Sequence, residues 1–228
     1  QLAAERFEYR DLGKHEIKGF GTPMSVYQAI REREISRFEA RGATLTPFIN
    51  EHEEIAVLLD RWTRAKSYNG QVIALVGQGG MGKSRILAEA IGRIRQQTPS
   101  APAPVILQCS PYHLNTPLYP LVRYLVRLAG IGAEDQPPQK LAKVSKLLDG
   151  IIAHRERMPL IAELLGVELE DTDPAAMLEP MTKRYRTIET LVDWLRSRSG
   201  EQAMTVVFEA AQRIDPTSKL LPGRLGAR

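Results

Sequence analysis

The sequence predicts an α/β fold, a parallel sheet with flanking helices, and three observations carry that reading. Val72 to Val76 is an apolar run followed at once by a glycine-rich loop and an amphipathic helical pattern. Val105 to Cys109 and Met204 to Phe208 are two further short apolar runs, the second followed directly by Glu209. Helical stripes fill the chain between these runs, and strands alternating with helices call for crossover connections and therefore a parallel sheet.

In chain order, residues 7–30 alternate around Gly13, Gly19 and Gly21 and end in SVYQAI (Ser25 to Ile30). That pattern predicts a hairpin followed by one more strand, a unit too small to fold alone. Residues 31–41, REREISRFEAR, read as a short linker helix with a solvated charged face. A new unit starts at Thr46 and Pro47, where Glu51 to Lys66 places Ile55, Leu58, Leu59, Trp62 and Ala65 on one helical stripe. Glu51, Glu53 and Glu54 stand in its first turn, where the helix dipole favours them. Tyr68, Asn69 and Gly70 turn the chain into the Val72 run. After the glycine-rich loop, Ile86, Leu87, Ala90, Ile91 and Ile94 mark a helix that breaks at the proline-rich stretch Pro99 to Pro104.

Beyond the Val105 strand, Leu118 to Ala129 directs Leu118, Leu121, Val122, Leu125 and Leu128 inward and Arg123 and Arg127 outward, and Gly130 and Gly132 stop it. Helices are also expected over Lys140 to Ala153, with Leu141, Val144, Leu147, Leu148, Ile151 and Ile152 in register, and over Leu160 to Leu165; a loop is expected over 171–174. Lys183 to Arg196 carries Tyr185, Ile188, Leu191, Val192 and Leu195 on one stripe, a core pattern. The strand from Met204 follows.

Composition narrows the function classes. The 228 residues are 43% hydrophobic and 25% charged, ordinary for a globular chain able to bury a sizeable core. Of the formal charge of +4, +3 lies in residues 213–228, so the body lacks the clustered basic stripe of a nucleic-acid face. The single cysteine, Cys109, excludes an intramolecular disulfide; with four scattered histidines it forms no zinc spacing and reads as a buried strand residue. No apolar run approaches the roughly 18 residues of a membrane span and no signal peptide opens the chain, so a cytoplasmic location is the expectation. Gln1 as first residue fits an excised or partial chain.

The chemistry lies in the loop. Gly77, Gly82, Lys83 and Ser84 satisfy G-x-x-x-x-G-K-[ST], the phosphate-binding loop. The glycines Gly77, Gly79, Gly80 and Gly82 are expected to take positive φ and turn backbone N–H groups inward, so that a β- or γ-phosphate is cradled at a helix N-terminus. Candidate nucleotide-binding residues are Gly77, Gln78, Gly79, Gly80, Met81, Gly82, Lys83, Ser84 and Arg85. Lys83 would neutralise phosphate charge, and Ser84 would present its hydroxyl to Mg²⁺. Strand, phosphate loop, helix, strand, helices, strand ending in an acid is the order of a P-loop NTPase core. Glu209 is then the acid on the magnesium side, while Ala210 cannot serve as the second acid that readies the attacking water.

Several stretches also carry a family resemblance. FEYRDLGKHEIKGFGTPMSVYQAI resembles the C-terminal end of a class III adenylate/guanylate cyclase domain, and SRFEAR followed by LTPFINEHEEIAVLLDRW resembles the seam into the ATPase domain of bacterial cyclase–ATPase fusion regulators of the STAND (AAA-like) class. QCSPYHLNTPLYPLVRYLVRLAG and VVFEAAQRIDPTS resemble further stretches of those proteins. The resemblance implies a cyclase remnant over 1–30, a charged linker over 31–44, a C-terminally incomplete P-loop NTPase domain over 45–220 and a divergent tail over 221–228. It implies a signalling ATPase that uses bound ATP or ADP with Mg²⁺ as a conformational switch, with no cyclase activity from this chain. Lys18 falls where cyclases carry a lysine that helps hold the triphosphate, though a surface lysine is its plain reading.

The chain departs from that family in three places. Ile49, Asn50, Glu51 and His52 stand where relatives read close to VGRE, a motif near the adenine. Glu209, Ala210, Ala211, Gln212 and Arg213 stand where they read EDAHW. PGRLGAR replaces a leucine-rich helix. The expectation is therefore an ATP-binding regulatory module with weak or no hydrolysis. The alternatives are an active ATPase in a longer parent and a truncated or frameshifted non-functional remnant. With later strands missing, Val72 to Val76 is expected to be an unprotected apolar sheet edge that recruits other chains.

Overall fold

The computed structural model describes residues 7–32, 52–67, 69–148, 154–167, 175–200 and 202–226. Strands β1 (Phe7–His15) and β2 (Met24–Glu32) form an antiparallel hairpin, paired from Phe7↔Glu32 to His15↔Met24. The third strand expected here is absent among the described residues, because Gly13 makes an irregularity inside β1 and no turn. Its φ is +83°, and its N–H donates to Asp11 Oδ1 at 2.8 Å while β1 continues to His15. The chain reverses only at Ile17 to Gly21, with Gly19 at φ +99° and Phe20 N–H bonded to Ile17 O at 3.0 Å. The linker helix expected over 31–41 lies outside the described residues apart from Arg31 and Glu32, which belong to β2.

Helix α1 (His52–Lys66) buries Ile55, Leu58 and Trp62, the expected stripe, and packs on α2 (Lys83–Gln97) through Ile86 and Ala90. Strand β3 (Val105–Gln108) pairs in parallel with β4 (Val206–Glu209), Val105 opposite Val206 and Gln108 opposite Glu209. Between them run α3 (Tyr119–Leu128), α4 (Pro137–Leu148), α5 (His154–Leu164) and α6 (Pro180–Ser199). Together with β3 they build one core around Leu107, Leu121, Leu125, Val144, Ile161, Leu191 and Trp194. The loop expected over 171–174 lies outside the described residues.

Ion pairs join the outer faces of these helices. Arg157 reaches Asp193 at 2.6 Å and Lys183 reaches Glu163 at 3.1 Å, both from α5 to α6. Two stripe positions turn outward instead of inward: Leu128, at the end of α3, is 39% exposed and Tyr185 is 53% exposed. Tyr185 sits under the guanidinium of Arg224, 4.8 Å from its ring centroid, and Arg224 also pairs with Glu189. Arg224 belongs to a short helix, α7 (Leu221–Gly226), whose Leu221 is fully buried in the core. The divergent tail expected over 221–228 is thus helical and packed as far as Gly226.

The largest correction concerns Val72 to Val76. The run belongs to no sheet; among the described residues the ladders are β1 with β2 and β3 with β4 alone. Val72, Ile73 and Val76 are exposed, Val76 at 91%. An apolar run becomes a strand when a partner edge and a covering layer are both offered to it, and among the described residues no strand pairs with this one. Gly70 lies so close to Gly226 that a Cβ on it would come within 2.4 Å of the Gly226 carbonyl oxygen.

Cys109 directly follows β3, where its N–H donates to Glu209 O at 3.0 Å. Burial, with the negative charges of Asp215 and Glu209 behind it, pushes its thiol up to about 11. The thiol therefore stays protonated through the neutral range, and iodoacetamide at pH 8 should label native protein far more slowly than urea-unfolded protein. Equal rates would place Cys109 at the surface. Leu191→Ala should lower the unfolding free energy by about 2–5 kcal/mol in urea denaturation. A loss below about 0.5 kcal/mol, the range of surface substitutions, would show that α6 does not enter the core as described.

Candidate functional site

The phosphate-loop candidates Gly77 to Arg85 are contiguous and end in α2. The loop leads from the Val72 to Val76 run into α2 through two left-handed glycines, Gly80 at φ +89° and Gly82 at φ +79°. Gly77 and Gly79 do not take positive φ, contrary to expectation, because those two positions complete the turn. Gly82 caps α2: its carbonyl accepts from Arg85 N–H at 2.7 Å and from Ile86 N–H at 3.0 Å. The N–H groups before Arg85 have no intrahelical acceptor and remain at the positive end of the helix dipole. A Cβ at Gly79 or Gly80 would meet nothing within 4 Å, so the loop is open on that side.

The charge that faces this opening is Lys83. Its Nζ donates back to Gly77 O at 2.9 Å and to Gln78 O at 2.6 Å, which bridges the two ends of the loop. Gln78 N–H lies 3.2 Å from Met81 Sδ, and Met81 itself is 61% exposed. Ser84 and Arg85 are half-buried in the first turn of α2. Open glycine backbone, first-turn N–H groups and one ammonium are the donor set that a polyphosphate requires.

Glu209 is half-buried at the C-terminal end of β4. In parallel sheets ligands bind beyond the carboxyl ends of the strands, and two connections leave from this end. One runs from Cys109 to Leu118 and includes a single 3₁₀ turn, Pro111–His113, capped by Ser110 Oγ, which accepts from Tyr112 N–H at 3.3 Å. Within it the His113 and Tyr119 rings stack, centroids 3.8 Å apart. The other runs from Ala210 through a 3₁₀ turn, Ala211–Arg213, to Asp215. Leu118 (φ +59°) and Ala210 (φ +54°) are the non-glycine residues in the left-handed region among those described.

Asp215 was not singled out by its sequence context and proves to be a junction. It is 1% exposed, and its Oδ1 accepts from Leu118 N–H at 3.1 Å, Thr217 N–H at 3.1 Å and Ser218 N–H at 2.9 Å. The two local bonds follow from the sequence DPTS, in which an aspartate before proline caps the turn after it. The bond to Leu118, 97 residues away, has no local signal.

Lys18 is exposed in the reversal of the β1–β2 hairpin. Among the described residues no group of three or more His, Cys, Asp or Glu side chains is arranged to hold a metal ion. Of the expected magnesium residues, Ser84 stands in the first turn of α2 and Glu209 at the end of β4. No helix among the described residues is long and apolar enough to cross a membrane.

The family model of the AAA ATPase domain matches residues 48–226. The chain is 27% identical over 227 residues to an uncharacterised protein of Rhizobium meliloti (strain 1021), an alignment that covers 97% of this chain and 21% of that protein. The chain thus spans about a fifth of the length of its relative. No solved structure matches it. With a phosphate-binding loop opening α2 and a family match that runs from before α1 to the end of α7, the chain belongs to the AAA ATPase domain family.

Proposed function

We propose that this chain is an ATP-binding regulatory module of a signalling protein, one that uses bound nucleotide as a switch and hydrolyses it slowly or not at all. The observation that carries the reading is the bridge from Lys83 Nζ to Gly77 O and Gln78 O across a glycine loop that caps a helix. The same ammonium can exchange those carbonyls for β- and γ-phosphate oxygens while the first-turn N–H groups of α2 hold the phosphates in place. Mg²⁺ bound with ATP supplies charge neutralisation between the phosphates. Ser84 would hold it directly and Glu209 through water.

The regulatory part of the reading rests on Ala210. It follows the acid where a second carboxylate would orient the attacking water, and a methyl group in the left-handed region can neither accept that proton nor position the water. The resemblance of residues 1–30 to the end of a cyclase domain supports a cyclase-linked parent, cytoplasmic because its ligand is. The chain itself would carry none of the cyclase's metal-binding aspartates.

The exposed Val72 to Val76 run favours a second feature, self-association. An apolar extended segment with free backbone groups and no charge or proline is a template for pairing with a second copy.

Calorimetric titration with ATP and Mg²⁺ tests the first reading: wild type should bind, and Lys83→Ala should lower affinity by at least tenfold, the scale of losing charge-assisted phosphate bonds. Equal affinity in the two proteins overturns the assignment. Phosphate release should stay well below the roughly 1–100 s⁻¹ of phosphoryl-transfer kinases, and turnover in that range would mean that another group orients the water. Size-exclusion chromatography should show concentration-dependent oligomers that Ile73→Lys reduces; a monodisperse monomer at all concentrations would rule out pairing through this run.

A further inference from the structure

Met81 stands inside the phosphate loop, and its thioether is held there. Gln78 N–H donates to Met81 Sδ at 3.2 Å and Met81 N–H donates back to Gln78 O at 3.5 Å, so the two residues close a turn across Gly79 and Gly80. A Cβ on Gly77 would meet Met81 Sδ at 3.4 Å and Lys83 Cδ at 3.8 Å, which puts the sulfur and the lysine stem side by side over Gly77. The sulfur thus occupies one N–H of the loop, as Lys83 Nζ occupies the carbonyls of Gly77 and Gln78. A thioether is a weak acceptor. A charged phosphate oxygen makes a bond roughly twice as strong as a neutral one and displaces it. Met81 is also exposed, so small solutes reach the sulfur.

We propose that Met81 is a modification site, oxidised at sulfur to the sulfoxide, and that this oxidation shuts the loop to nucleotide. The inference rests on the nucleotide-binding reading above and adds a control to the same loop. The reaction is a two-electron oxygen transfer from a peroxide. A sulfur lone pair attacks one oxygen of hydrogen peroxide, the O–O bond breaks as the S–O bond forms, and the second oxygen leaves with both protons as water. A dithiol reductase reverses the step: two thiols give up two electrons and two protons, the oxygen leaves as water and a disulfide remains.

Oxidation converts an apolar side chain into a polar one. The sulfoxide oxygen takes Gln78 N–H more firmly than sulfur did, and its partial negative charge faces the place where phosphate oxygens have to sit. Nucleotide therefore loses one donor and meets a dipole of its own sign. Cys109 does not compete for the oxidant near neutral pH, because it is buried and its thiol, pushed up to about 11, offers no thiolate. Met24, Met177 and Met181 are exposed as well, on the hairpin and around the start of α6, and they serve as controls.

Limiting hydrogen peroxide, peptide mass spectrometry to score each methionine, and ATP titration together decide the matter. Once Met81 carries oxygen, ATP affinity should fall about tenfold or more, the scale of one lost bond to a charged acceptor. Methionine sulfoxide reductase with dithiothreitol should restore it. A chain with Met24→Leu, Met177→Leu and Met181→Leu together should lose affinity to peroxide in the same proportion. Met81→Leu should show one ATP affinity before and after peroxide, whatever its starting value. A further readout needs no nucleotide: amide exchange at Gln78 in the free protein should slow about threefold or more on oxidation, as the stronger acceptor takes its N–H.

Unchanged affinity with Met81 fully oxidised overturns the inference and leaves nucleotide binding standing. A loss that persists in Met81→Leu, or that vanishes in the triple variant, overturns it too, since oxidation elsewhere would be the cause. Exchange at Gln78 that stays the same or quickens also overturns it, because the new oxygen would not hold that donor. If Met81→Leu binds no ATP, the triple variant and the exchange at Gln78 decide. A wild type that binds no ATP overturns the nucleotide reading and this inference with it.

Discussion

The fold of this chain depends on one short parallel ladder. Val105 to Gln108 meets Val206 to Glu209 across about a hundred residues of intervening chain. Length itself adds little to the cost, since each doubling of a closed loop adds only about 0.6 kcal/mol. What the ladder cannot supply is its own stability, because ordering each backbone residue costs about 1–2 kcal/mol before any side chain is packed. The intervening helices supply it. Leu107 points into the cluster that holds Leu121, Leu125, Leu191 and Trp194, and the ladder persists as the floor of that cluster. Remove the helices and four residues per strand would not pair.

The strain at the end of the ladder has its own support. Leu118 and Ala210 each hold a left-handed conformation, at a cost on the order of 1–3 kcal/mol per residue. Asp215 Oδ1 accepts three N–H bonds in a buried setting, and bonds to a charged acceptor contribute about 1.5–3 kcal/mol each. One of the three bonds falls on Leu118 itself and so bears directly on one of the two strained residues. The same donors compensate Oδ1 for the water it loses on burial, while Oδ2 is buried with no hydrogen-bond partner among the described residues.

How much of this was legible in the sequence follows from the range of each cause. The stripes of α1, α2, α3 and α6 are local and periodic, and the burial of Ile55, Ile86, Leu121 and Leu191 follows them. The glycine loop was legible because its spacing encodes a backbone turn, although the two glycines that bend, Gly80 and Gly82, could not be told from Gly77 and Gly79. Tyr185 was misread because an aromatic ring on a stripe can serve a cation as well as a core, and Arg224, 39 positions on, decided it. Val72 to Val76 failed as a strand for the reason that Asp215 escaped notice. Partner edges and N–H donors from distant segments settle both, and no window of local sequence contains them.

The phosphate loop is therefore anchored unevenly. On its C-terminal side α2 packs on α1 through Ile55, Leu58, Ile86 and Ala90; on its N-terminal side no ladder holds it, and Lys83 bonds to Gly77 and Gln78 instead. Those two residues are exposed, so water can replace the ammonium on their carbonyls at a net difference of only about 0.5–1.5 kcal/mol each. Charge-assisted bonds from the same ammonium to phosphate are roughly twice as strong. The exchange of carbonyls for phosphate thus runs downhill, and it releases the bridge by which Lys83 ties Gly77 and Gln78 to α2. Phosphate at the loop would therefore leave α2 packed on α1 while loosening the hold on Gly77 and Gln78, the two residues that directly follow Val76.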